Sequence, residues 1–142
     1  MSETVLAGSR RQLHRLFDIA VFVWGAATAT MLVIGATHDI QGGAWPPRLD
    51  AAQGVAVIVA GVAVLTAGWA WLRLRRLRAV LEDERTADTY LRCCTAALTG
   101  ALAVQLPFFF HVQVPSMAQA KLTVAATLAV YGAAQLWLNR DA

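Results

Sequence analysis

The chain has 142 residues, of which 58% are hydrophobic and 15% charged, and its mean hydropathy is +0.52. A soluble domain is nearer half apolar and a quarter charged, and here the charges gather into a few short runs that leave apolar stretches of membrane length between them. The net charge is +3, but most basic residues border apolar segments, so topology and anionic lipid account for them better than nucleic acid does.

Residues Met1 to Arg15 form a polar, basic segment with Arg10, Arg11 and Arg15. A full-length apolar stretch follows, so the segment reads as a cytoplasmic anchor rather than a cleaved leader, whose apolar core is shorter. The first span is expected over residues 17–37. Asp18 stands at its entrance, close enough to the interface to stay solvated. A short loop follows, broken by Gly42-Gly43 and Pro46-Pro47, with Trp45 suited to an interface.

The second span is expected over 51–72. Gly54, Gly61 and Gly68 recur at seven, and Ala56, Ala60, Ala63 and Ala67 at four, three and four. These are expected to form one broad face of small residues, which lets two backbones approach closely in lipid. A charged connector, about 73–89, comes next: Arg73, Arg75, Arg76 and Arg78, then Glu82, Asp83, Glu84 and Arg85. Leu74, Leu77 and Leu81 extend the helical period into it. A turn is expected near 83–86, with Asp83 or Thr86 capping a new helix.

The third span is expected over 90–110. Gln105 and Pro107 form its deep polar-and-breaker pair. Proline frees a carbonyl one turn back and bends the helix, and the amide is expected to bond a neighbouring helix. The fourth span is expected over 122–138, where Ala125, Ala129 and Ala133, spaced by four, form a second small-residue face.

Positive-inside counting sets the orientation. Arg10, Arg11, Arg15, Arg73, Arg75, Arg76, Arg78, Arg85, Arg92 and Arg140 fall on one side, against Arg48 and Lys121 on the other. Both termini are therefore expected in the cytoplasm. The fold class is all-α: a single membrane domain over 1–142, an integral four-helix bundle of two in-out-in hairpins joined by the connector. A bacterial inner membrane is the expected location.

Candidate chemistry is sparse. His38, Asp39, Asp50 and His111 lie on the outer side, where two His and two Asp are a weak candidate metal set. His38 and His111, each at a span end, are also weak haem-ligand candidates. No catalytic motif is present, so no enzyme is expected, and no cofactor is the leading expectation. Cys93 and Cys94 are adjacent and show no metal spacing. No acid is expected deep in a span, and deep charge is the usual mark of a proton- or cation-coupled carrier, which argues against a drug–proton antiporter. The leading expectation is a non-enzymatic accessory, assembly or regulatory subunit, with lipid and either a second copy or another membrane protein as partners. A small oligomeric transporter or pore is the alternative, and a haem or metal redox subunit the third.

Leu81-Glu82-Asp83-Glu84-Arg85-Thr86 precedes the third span. In that setting it resembles a group of small prokaryotic four-span membrane proteins of uncharacterised function. These carry an Asp-Glu-Arg signature in the same connector, often beside a gene for a helix-turn-helix regulator. The resemblance implies a layout and no activity.

Overall fold

The computed structural model describes residues 3–42, 46–76, 84–109 and 114–139. They form four helices: α1 (Glu3–Gln41), α2 (Pro47–Arg76), α3 (Glu84–Phe109) and α4 (Ser116–Leu138). Local chemistry explains where they stop and start. Gly42, at φ +63°, ends α1, and its N–H donates to the His38 carbonyl at 2.9 Å. This left-handed residue costs glycine nothing and closes the last turn. Pro47 opens α2, a first-turn position where the missing N–H has no partner to lose. Pro115 likewise precedes α4. Pro107 lies inside α3, within its last turn.

Three helices contain segments long and apolar enough to cross a membrane: Gln12–Gln41, Pro47–Leu74 and Asp88–Phe108. The fourth, α4, is long enough at 23 residues. Its hydropathy is held down by Gln119, Lys121 and Gln135, together with Thr123 and Thr127.

Each expected hairpin is present as a packed pair, α1 with α2 and α3 with α4, and the hairpins meet through α1 and α4. Among the described residues α2 touches only α1, and α3 touches only α4. The spatial order is therefore α2–α1–α4–α3, an open bundle with α1 and α4 inside and α2 and α3 at its edges.

Small residues make the seams. On α2 the buried positions are Ala56, Ala60, Ala63, Ala70 and Leu74, and they face α1, the only neighbour. Gly54, Gly61 and Gly68 are exposed, and a Cβ at any of them would meet nothing within 4 Å. The single broad face expected from the sequence is thus two faces. At 100° per residue the alanine seam and the glycine line point about 140° apart, so one stripe cannot serve one partner helix.

On α4 the buried small residues are Ala118, Ala125 and Gly132, spaced by seven. Of the expected face only Ala125 is fully buried; Ala129 is half-buried and Ala133 exposed. The reason is geometric. A step of four turns 40° around the helix each time, whereas a step of seven falls short of two turns by only about 20°, and so holds to one seam.

The middle of the connector, residues 77–83, lies outside the described residues. Glu82 and Asp83 fall there. Glu84 and Arg85 open α3, and Thr86 is already inside that helix, so it is not the cap.

Candidate functional site

α1 and α4 run antiparallel and are joined along their whole shared length. At the crossing, glycine replaces side chains. A Cβ on Gly25 would sit 2.8 Å from the Leu128 carbonyl oxygen, and one on Gly132 would sit 3.1 Å from the Phe22 Cα. Two polar clasps flank the crossing. At one end the Lys121 Nζ pairs with Asp39 Oδ2 at 2.8 Å. The lysine lies over Gly35, where a Cβ would meet Nζ at 3.3 Å.

At the other end is Asp18. It is only 5% exposed. Gln135 Nε2 and Asn139 Nδ2, one turn apart on α4, both donate to its Oδ1 at 3.1 Å. This overturns the expectation that Asp18 stays solvated: the last turn of α4 covers it. A buried carboxylate is tolerated when donors replace its water, and here both donors are neutral amides. Among the described residues the ion pairs are Lys121 with Asp39 and Arg92 with Asp88, so no lysine or arginine is paired with Asp18 there. His14 lies one turn before it on α1. Cys93, buried on α3, and Tyr131 on α4 lie within electrostatic reach of the carboxylate. Tyr131 meets Tyr90 edge to face, with ring centroids 6.5 Å apart. Three helices thus bring polar groups to one end of the bundle.

A second polar network joins α3 to α4. Gln105 Nε2 donates to Thr123 Oγ1 at 2.5 Å, and Gln119 Nε2 donates to Gln105 Oε1 at 2.6 Å. Thr123 Oγ1 in turn donates to the Gln119 carbonyl at 2.9 Å. Gln105, singled out in the sequence, is thus occupied in helix packing. Its proline neighbour, Pro107, is exposed. Above this network, Gly100 admits Val130, whose Cγ2 would lie 2.8 Å from an added Cβ.

The metal and haem candidates divide. Asp39 is engaged by Lys121, so a metal there would have to displace an ammonium. His38 lies in the last turn of α1 and Asp50 in the first turn of α2. His111 falls outside the described residues, as does Trp45. Among the described residues no group of three or more His, Cys, Asp or Glu side chains is placed to hold a metal.

The polar residues that the fold brings together, Asp18 with Gln135 and Asn139, and Lys121 with Asp39, are more than 80 positions apart in the chain. Periodicity within one helix carries no trace of such pairs. The one available signal was an ionisable residue near the end of each apolar stretch that should meet. No family model matches the chain, and no curated protein or solved structure matches it.

Proposed function

We propose that this is a four-span protein of a bacterial inner membrane, both termini cytoplasmic, acting as a non-enzymatic accessory, assembly or regulatory subunit. The observation that carries this reading is the open order of the helices. Among the described residues α2 has one neighbour, and its Gly54, Gly61 and Gly68 line stands on the side away from that neighbour. Lipid-facing surfaces are ordinarily bulky, whereas small residues let backbones approach. A second copy or another membrane helix seated there would complete the packing.

The fourth span is part of the same reading. At 23 residues, α4 is about 34 Å long, enough for a hydrocarbon core of roughly 30 Å. Its polar groups turn toward α1 and α3, its neighbours on either side, where they are hydrogen-bonded. Side chains satisfied in this way do not bar a helix from lipid.

The test is assembly size and co-purifying protein in mild detergent. The wild type is expected to run as a dimer or larger, or with a stoichiometric partner, and Gly61→Leu to shift it toward the single chain. An unchanged size removes the α2 face from the argument.

A second reading, a small transporter or pore, is favoured by the Asp18 cluster. A buried ionisable residue inside a candidate span marks a functional position by default. It requires ion or solute flux in proteoliposomes that changes on Asp18→Asn or Gln105→Leu. Flux that is absent, or indifferent to both, removes it.

A further inference from the structure

The exposed side of α3 carries an open surface groove of about 630 Å³, running from Leu91 to Ala103 with Val130 of α4 as its far wall. We propose that this groove holds an acyl chain of an anionic phospholipid whose phosphate is bound by Arg92. The inference rests on the membrane reading above.

Four observations carry it. The groove is lined by apolar surface. Its hydroxyls are spent within the helix, since Thr95 Oγ1 donates to the Leu91 carbonyl and Thr99 Oγ1 to the Thr95 carbonyl, each at 2.9 Å. What Thr95 and Thr99 offer a ligand is chiefly their methyl groups. Next, Val130 packs into the space a Gly100 side chain would take, so the far wall of the groove is a branched apolar side chain held close to the α3 backbone.

The third observation is length. The helix from Leu91 to Ala103 rises about 18 Å, close to one leaflet of a roughly 30 Å core. The groove runs from Leu91 to Ala103 within Asp88–Phe108, so Arg92 stands near one end of the span and the apolar lining extends inward from it.

The fourth is charge. Arg92 lies at the cytoplasmic mouth of the groove. Its Nε pairs with Asp88 Oδ2 at 2.8 Å, but both side chains are more than half exposed. An exposed pair one turn apart is weak. Guanidinium has five N–H donors in a fork that matches phosphate, and Nε supplies only one. A lipid phosphate therefore finds cationic donors at the depth where headgroups lie.

The experiment is native mass spectrometry of the full chain, delipidated in detergent and titrated with phosphatidylglycerol or phosphatidylcholine. The wild type is expected to retain one phosphatidylglycerol about fivefold more strongly than phosphatidylcholine, the preference one interfacial arginine supplies. Arg92→Gln brings that ratio close to one while chain retention persists. Thr99→Trp, which fills the groove from an exposed position, abolishes retention of both lipids. Arg48→Gln, an exposed arginine at the opposite membrane end, leaves the ratio unchanged. Equal retention of the two lipids by the wild type overturns the proposal, as does a ratio indifferent to Arg92→Gln. So does a second protein chain, rather than lipid, released by Thr99→Trp. An alkaline wash of membranes separates the two levels. Release of the protein into the supernatant sinks the membrane reading; retention in the pellet without lipid preference sinks the lipid site alone.

Discussion

Glycine serves two opposite surfaces in this molecule. On the α1–α4 seam, Gly25 and Gly132 stand against backbone atoms of the other helix, and an added methyl would collide with a carbonyl oxygen or a Cα. On α2, Gly54, Gly61 and Gly68 stand against nothing. The residue type is the same and so is the helical setting; only the neighbour differs. Where the neighbour is backbone, glycine is a structural necessity of this chain. Where there is none, glycine costs helix stability without an internal return. The contrast separates what holds the monomer together from what remains for another molecule to use.

The sharpest way to break that contrast is to put side chains on the seam. Gly25→Ala places its Cβ against the Leu128 carbonyl, a backbone atom that cannot rotate away. The expected loss is about 1–3 kcal/mol, the usual cost of overpacking, seen as a lower Tm in detergent. Gly132→Ala should behave alike, somewhat less severely, because its nearest contact is longer. If both variants melt with the wild type, the crossing is not as tight as described and the comparison with α2 loses its meaning.

The clasps at the two ends of the same seam offer the next step down. Asp18→Ala removes the acceptor shared by Gln135 and Asn139 and strands two half-buried amides, a cost of about 1 kcal/mol. The proper control is Asp88→Ala, which breaks the exposed pair with Arg92 and should cost no more than about 0.5 kcal/mol. Equal effects in thermal unfolding would mean that Asp18 is solvated after all.

These variants also mark how far the sequence reads. The four helices, the two hairpin pairings and the breakers at Gly42 and Pro47 are local, and composition reveals them. The burial of Asp18 is not local. It depends on the last turn of α4 arriving over the first turns of α1's apolar stretch, a contact across 117 positions. The same holds for Gly25, which looks no different from Gly54 in a pattern of small residues. Periodicity finds a small-residue stripe; it cannot say whether a helix of the same chain lies on it. On α4 it went further astray, because three alanines at a spacing of four look like a stripe and yet wind off the seam. The Asp-Glu-Arg connector and His111 stay where the sequence left them, since Asp83 and His111 lie outside the described residues.

The smallest expected effect is the most discriminating, because its sign is opposite. Gly61→Ala adds a methyl where nothing stands within 4 Å, and alanine is the better helix former by up to about 1 kcal/mol. The separated single chain should therefore gain slightly in Tm, whereas Gly25→Ala loses. If the α2 face seats a second helix, the same methyl must also reduce the assembled fraction at a given protein concentration. A gain in monomer stability with assembly weakened identifies the face as one shaped for a partner. A gain with assembly untouched leaves Gly54, Gly61 and Gly68 facing lipid alone. A loss in the isolated chain would show that α2 meets another part of the molecule, and the open order α2–α1–α4–α3 would have to close.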